Sequence, residues 1–210
     1  MTLHLASQRL LLPSAQVSTL TTGSITLPSA RGAYASALAT SAFESIASSS
    51  ISGSPSSVTF SSIPQTYKHL EVRVVARTNA TSAGAIDMYM QFNSVTSGYN
   101  WIESVGSSAS NINASSGISS TTWNIMRNSL PRASETGYGV AIARIMDYTD
   151  TNKNRNAYWF CGYKGQTGYG NISNVSGTSG SAAAISSLTF SIEGGGTFTN
   201  DSHITLYGLK

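Results

Sequence analysis

The sequence predicts an all-β protein: an antiparallel β-sandwich, jelly-roll-like, preceded by an extended N-terminal arm. From Phe43 onward, short apolar runs recur between turns rich in Gly, Asn and Ser, and no stretch there shows a 3.6-residue apolar period. Charged residues make up only 10% of the 210 residues, so hydroxyl and amide side chains supply the polar surface, which suits sheets better than helices. We therefore predict an N-terminal arm over residues 1–42 and a sandwich domain over residues 43–210, long enough for one sizeable core.

Residues 1–42 differ from the rest of the chain. They contain no acid, show no sustained apolar period, and are interrupted by Pro13, Gly23 and Pro28. This composition fits a disordered tail, or an arm that becomes ordered against a neighbouring subunit. We favour the arm, because the segment carries apolar side chains that a mere linker would not need. The predicted partner-binding residues are Leu10, Leu11, Leu12, Leu20, Ile25 and Leu27.

The strands of the domain are predicted in order from alternating or continuous apolar runs. These are "HLEVRVVAR" (69–77), "AIDMYMQFN" (85–93), "YGVAIARIMDY" (138–148), "NAYWFCGY" (156–163), "ISSLTFSIE" (185–193) and "HITLYGL" (203–209). The third run is almost wholly apolar, as in a central strand, and Arg144 within it indicates a bulge or a change of face. The polar stretch 106–122 is expected to be a long loop or a weak edge region.

The stretch "DYTDTNKNRN" (147–156) begins like a calcium-binding loop, because Asp150, Asn152 and Asn154 follow the spacing D-x-[DN]-x-[DN]. The sixth position, which should be glycine, is Arg155, and the twelfth, which should be glutamate, is Cys161. We therefore expect a hairpin connection in which Asp147, Asp150 and Asn152 hydrogen-bond to turn amides.

The sequence gives no sign of a catalytic or cofactor-binding site. The single Cys161 lies in an apolar run and is expected to be a small buried residue. The histidines at 4, 69 and 203 are far apart in sequence, and no nucleophile motif accompanies them. Glu71 and Asp87 occupy outward positions of predicted strands, and the acids at 135, 150 and 201 lie in turn-like contexts. We predict no enzyme activity, no cofactor and no metal.

Charge and hydropathy also exclude two classes of partner. The net charge of +3 is small and dispersed, which argues against nucleic acid. No apolar stretch approaches the ~20 residues of a membrane span. The run Leu10–Leu12 is too short for a secretory signal, so we expect a soluble chain that is not exported.

Two tryptophans are candidates for sugar binding, because aromatic faces stack on sugar rings. Trp101 and Trp123 flank the long polar stretch and are therefore better candidates than the other aromatic residues. The alternative is that aromatics at alternating strand positions belong to the core or to a subunit interface.

Four segments together resemble small structural proteins of tailed bacteriophages, many from cyanobacterial and other aquatic hosts. They are "FESIASSSISGSPSSVTFSSIPQTYKHLEVRVVAR" (43–77), "MQFNSVTSGYNW" (90–101), "IMDYTDTNKNRN" (145–156) and "SHITLYGLK" (202–210). The ordered combination covers residues 43–210, whereas the first 42 residues match no such pattern. The resemblance implies a virion, minor structural or tail-associated protein and implies no catalytic residues.

The favoured hypothesis is a capsid cement or decoration protein, whose arm binds the major capsid protein or another virion protein. Several arms on one oligomer, expected to be a trimer, would bind together with high joint affinity. The alternative is a tail-fibre or baseplate protein that binds host surface glycans through Trp101 or Trp123. A depolymerase would need a carboxylate pair that the sequence does not supply. The expected location is the virion, assembled in the host cytoplasm.

Overall fold

The structure is a computed structural model that describes residues 42–81, 86–107, 111–165 and 170–210. All of these residues belong to one unit, Ser41–Lys210. The predicted arm therefore lies outside the described residues, except for Ala42.

The described residues form twelve strands and one short 3-10 turn, which confirms the predicted all-β class. The turn covers Glu193–Gly195. The strands are β1 (Phe43–Ser50), β2 (Ser57–Phe60), β3 (His69–Ala76), β4 (Ile86–Phe92), β5 (Tyr99–Ser107), β6 (Asn111–Ser120), β7 (Trp123–Leu130), β8 (Gly139–Met146), β9 (Asn156–Lys164), β10 (Gly170–Ser179), β11 (Leu188–Ile192) and β12 (His203–Leu209).

Two antiparallel sheets contain these strands. The large sheet has the order β1-β12-β3-β8-β9-β10-β5-β6, and the small sheet has the order β2-β11-β4-β7. Four pairs are nested from the outside inward: β1 with β12, β2 with β11, β3 with β8, and β4 with β7. Such a long hairpin, wound so that successive strands alternate between two sheets, is a jelly roll. The jelly-roll-like prediction is confirmed.

The remaining four strands are two inserted hairpins. The β5–β6 hairpin is inserted between β4 and β7, and the β9–β10 hairpin is inserted between β8 and β11. Both add to the β8 edge of the roll and lengthen the large sheet from four strands to eight. The small sheet keeps four strands, and its β7 packs against the inner side of the added strands through Trp123.

The core lies between the sheets, where most strands turn apolar alternate residues inward. Strand β3 buries Leu70, Val72 and Val74 against the small sheet, where Met88 and Met90 of β4 are also completely buried. The inserted hairpins are held by aromatic packing, since Trp123 of β7 contacts Tyr99 of β5 and Trp159 of β9 at ring-centroid distances of 5.4 and 5.9 Å. Burial of these rings fixes the extension to the roll.

The connection 147–155 is a hairpin between β8 and β9, as predicted. Asp150 Oδ1 accepts a hydrogen bond from the Asn152 amide at 2.8 Å, whereas the Asp147 carboxylate pairs with Lys153 Nζ at 2.6 Å and not with an amide. Arg155 is completely buried and donates to the carbonyls of Asp147 and Ala182. Neutral carbonyls replace water around this cation, and burial lowers its pKa.

Two local expectations are resolved by the register. The stretch 106–122 is mostly the edge strand β6, not a long loop. Arg144 causes neither a bulge nor a change of face, because β8 pairs without a register shift to both of its neighbours. Its outward position follows from simple alternation, and the neighbouring outward residues are the apolar Val140 and Ile142.

Candidate functional site

The outer surface of the large sheet from β8 to β5 is the candidate functional site. On β8, β9, β10 and β5, outward-facing positions carry large apolar side chains with exposed fractions from 41% for Phe160 to 63% for Ile102. We call this surface the apolar face and define it by Val140, Ile142, Tyr158, Phe160, Ile172 and Ile102. Soluble proteins rarely leave such side chains exposed side by side without a function for them.

Strict alternation along β8 and β9 produces this surface. In β8 the inward residues are Ala141, Ala143 and Ile145, so the outward positions receive Val140 and Ile142. Strand β9 likewise buries Trp159 and Cys161 and exposes Tyr158 and Phe160. Because successive side chains of a strand point to opposite faces, a strand that is apolar throughout is apolar on both faces.

Cross-strand register brings these residues together. Ile142 pairs with Phe160, and in the next row Val140 faces Gly162, which faces Ile172. Gly106 of β5 follows Ile172 in that row. The two glycines leave a trough between ridges of apolar side chains.

Three shallow grooves run along the apolar face. The first, of about 780 Å³, lies over Gly162 between Val140, Phe160 and Ile172. The second, of about 560 Å³, shares Phe160 with the first and reaches Tyr158 and Ile102. The third, of about 530 Å³, shares Ile102 with the second and ends at Ile118 and Asn156. The three grooves adjoin, since Phe160 lines the first and second and Ile102 lines the second and third.

Charged side chains border the apolar face on the β3 side. Glu71 faces outward as predicted but is only 1% exposed, because Arg73 Nε and Arg144 Nε hold its carboxylate at 2.8 and 2.5 Å. The ion pair raises the pKa of Arg144. Arg73 also lies 4.7 Å from the centroid of the Tyr207 ring. We call Glu71, Arg73 and Arg144 the arginine cluster; it lies at the β3 border of the apolar face, where the exposed Val75 of β3 pairs with Val140.

The arginine cluster also orients one aromatic residue of the apolar face. Arg144 Nη1 donates a hydrogen bond to the Tyr158 hydroxyl at 3.1 Å. The phenol oxygen is therefore held at the border, and the ring lies over the second groove.

The two tryptophans predicted as glycan-binding candidates differ in their exposure. Trp123 is completely buried among Phe92, Tyr99 and Trp159, so the prediction that it contacts sugar is wrong. The Trp123 ring packs against other aromatic rings in the core.

Trp101 is partly buried on the inward side of β5. The Arg127 guanidinium lies 5.2 Å from its ring centroid, and the ring packs against Gly117 of β6 so closely that a Cβ there would collide with it. Arg127 in turn donates to the buried Glu103 at 2.8 Å. Trp101 is therefore braced in place and keeps only part of its surface accessible.

Titratable groups near the site have structural contacts. Cys161 is buried, as predicted, and burial raises the pKa of its thiol to about 11. His69 Nδ1 accepts the Asp147 amide hydrogen at 2.9 Å, and the His203 ring lies within hydrogen-bond distance of Ser48 and Ser50. Within the described ranges, no group of three or more His, Cys, Asp or Glu could hold a metal ion.

The predicted partner-binding residues Leu10, Leu11, Leu12, Leu20, Ile25 and Leu27 lie outside the described residues. The apolar face was not predicted from the sequence. Its signal was present in "YGVAIARIMDY": a strand with apolar residues at both alternate sets of positions has an apolar outer side unless a further layer covers it.

Comparison of the chain with protein-family models, curated proteins and solved structures found no match. In the described part of the chain, no helix has the length and hydropathy needed to span a membrane.

Proposed function

We propose that this chain is a bacteriophage virion structural protein, most specifically a capsid cement or decoration protein. The apolar face is the observation that carries the assembly role, because a surface of this kind is typical of protein–protein contact. The ordered sequence motifs over residues 43–210 support the assignment to tailed phages.

Attachment to the particle is assigned to the N-terminal arm. Its apolar residues Leu10–Leu12 and its lack of acids suit a segment that buries leucine side chains on the major capsid protein or another virion protein. The entropy lost when such a segment becomes ordered is offset by the contact. A homo-oligomer carrying several arms binds more tightly than a single arm does.

The test measures co-sedimentation of the purified full-length chain with phage particles that lack it. Replacing Leu10, Leu11 and Leu12 together by serine is expected to abolish co-sedimentation. Replacing Ala15, Ala30 and Ala35 by serine introduces the same residue type into the arm and is expected to leave binding intact. Binding of the leucine variant at the wild-type level would refute the arm assignment.

A deletion tests the same assignment more severely. Removal of residues 1–35 is expected to leave a folded, soluble sandwich, checked by circular dichroism, that no longer decorates particles. A folded deletion variant that still binds would end the decoration hypothesis.

The second candidate is a tail-fibre or baseplate protein that binds host glycans. Exposed rings at Tyr158 and Phe160, with the polar Asn174 and Ser176 beside them, favour it because such a surface can stack on sugars and hydrogen-bond to their hydroxyls. A glycan array probed with wild type, Tyr158→Ala and Trp101→Ala decides: binding lost in either variant supports it, and a null wild-type result on host polysaccharide dismisses it.

A further inference from the structure

We propose that the apolar face binds the same face of a second copy of this chain, giving a twofold dimer. This inference rests on the proposed function and identifies the surface through which its homo-oligomer forms. It also changes the expected oligomer number, because one patch that meets itself forms a closed pair, not a trimer.

The size of the surface fits a stable pair. Strand β6 continues the apolar face with the exposed Ile112 and Ile118. Including it, five adjacent strands, β8 to β6 in the large sheet, cover a width of about 24 Å at the usual strand spacing, and eight residues along each span about 27 Å. The projected area is roughly 650 Å², and the surface of a corrugated face is larger, which compares well with the ~800 Å² that each partner buries in a standard interface.

The charge of the surface favours a copy of itself over a charged partner. Among the described outward residues of these five strands, only Arg144 and Lys164 are charged, and both lie at margins. Arg144 is paired with Glu71 at the border. A neutral centre placed against an identical neutral centre desolvates no unpaired ion, whereas a strongly acidic or basic partner would find no complementary charge there.

The shape of the surface is self-complementary. Ile142 and Phe160 form a ridge, and the row beside it has a trough at Gly162. In the proposed twofold pair, the ridge of each copy packs into the trough of the other. Asn174 and Ser176, which lie between the apolar side chains, can hydrogen-bond across the contact.

The experiment measures the mass of the full-length chain in solution by sedimentation velocity over a range of concentrations. Wild type is expected to reach 44 kDa, twice the 22.0 kDa of one chain. Replacing both Ile142 and Phe160 by threonine, which strands accommodate well, is expected to weaken self-association by about 30-fold or more, the effect of losing a central contact residue.

Two controls keep the result interpretable. Tyr89→Thr removes an aromatic ring from the outer surface of the small sheet and is expected to leave the dimer unchanged. Ile102→Lys places a charge on the most exposed residue of the apolar face and is expected to give monomers even if the double variant misfolds. Circular dichroism reports folding in each case.

Each outcome supports or overturns the pairing. A monomeric or trimeric wild type overturns it, and so does an Ile102→Lys variant that is folded and still dimeric. The arm variant with three serines is expected to remain a dimer while losing particle binding. A wild-type dimer that fails to bind particles therefore refutes the proposed function and leaves the dimer standing.

Discussion

The outer surfaces of the two sheets differ, although strands of the same fold build both. On the small sheet, the outward residues are polar: Thr59 of β2 and Thr189 of β11 lie within hydrogen-bond distance at 3.0 Å, and Gln91 of β4 donates to the Thr121 carbonyl. On the large sheet from β8 to β5, isoleucine, valine and aromatic rings share the outward positions with small polar residues such as Asn174 and Ser176. Both surfaces have the same relation to the core.

This difference shows that folding does not explain the apolar face. An antiparallel sheet needs one apolar side, and the small sheet demonstrates that this roll tolerates a polar outer side. Outward isoleucines add little to the stability of a single chain, yet they increase its tendency to associate. The contrast therefore supports the proposal that the apolar face serves binding.

The largest expected effect is a difference in unfolding free energy between an inward and an outward substitution on β8. Ile145→Thr puts a hydroxyl into the core and is expected to cost about 3 kcal/mol of unfolding free energy, because it removes buried methylene volume and buries a polar group. Ile142→Thr, the same change on the apolar face, is expected to cost less than about 1 kcal/mol in the monomer. Urea unfolding at low protein concentration measures both. Equal losses would show that the apolar face is part of the fold's own stability.

The next effect concerns the arginine cluster at the border. Glu71→Gln removes the carboxylate shared by Arg73 and Arg144 and is expected to cost about 1–2 kcal/mol, a modest figure because both arginines are substantially exposed. Added salt should lower the stability of wild type more than that of the variant.

A matched control for the border lies on β1. Glu44 pairs with Lys210 at the chain end and accepts a hydrogen bond from Tyr67. Because the Glu44 side chain is 32% accessible and that of Glu71 only 1%, Glu44→Gln should cost less than Glu71→Gln. The reverse order would show that Glu71 is not the residue that fixes the border.

Stability at alkaline pH is expected to depend on Tyr89, which lies on the outer surface of the small sheet. Burial, with Asp87 and Glu193 nearby, raises the pKa of Tyr89 to about 12. In the unfolded chain tyrosine ionises near pH 10, so its raised folded pKa makes stability fall as pH rises from about 10 through about 12.

Tyr89→Phe removes this contribution. The variant should therefore lose less stability than wild type between pH 9.5 and about 11.5 in urea unfolding. Parallel losses in the two proteins across that window would show that Tyr89 does not titrate differently in the folded state.

The smallest effect is expected from making the polar surface apolar. Thr59→Val with Thr189→Val removes a hydroxyl pair on exposed strands and should change stability by less than about 0.5 kcal/mol. The double variant should also show the wild-type mass in sedimentation. New higher oligomers would mean that any apolar outer side drives association, and that the apolar face is not special.

Some strands could be recognised from the sequence because their inward residues are apolar. Strand β4 alternates Met88 and Met90 with Tyr89 and Gln91, and β11 does the same with Leu188 and Phe190. Such patterns state which side is buried without any knowledge of the neighbouring strand.

Strand β10 was missed because most of its buried residues are small or polar. Strand β10 turns Asn171, Ser173, Val175 and Gly177 inward, and only one of these is a strong apolar signal. Asn171 can be buried because its amide donates to the Asn128 carbonyl of β7 at 2.8 Å, and Gly177 is needed because a Cβ would lie 2.8 Å from ring atoms of Trp159. Neither contact can be inferred from the sequence before the positions of β7 and β9 in the fold are known.

By itself, the sequence determined the all-β class, the long hairpin-rich body and the position of its strongest strands, because the alternation of side chains is a local property of each strand. Only the tertiary structure decided that β9 and β10 join β8 in one sheet and bring Ile142, Phe160 and Ile172 together on its outer side. Whether an apolar residue is core or surface depends on which strands lie opposite it. That pairing is set by contacts between distant segments, and no local pattern records it.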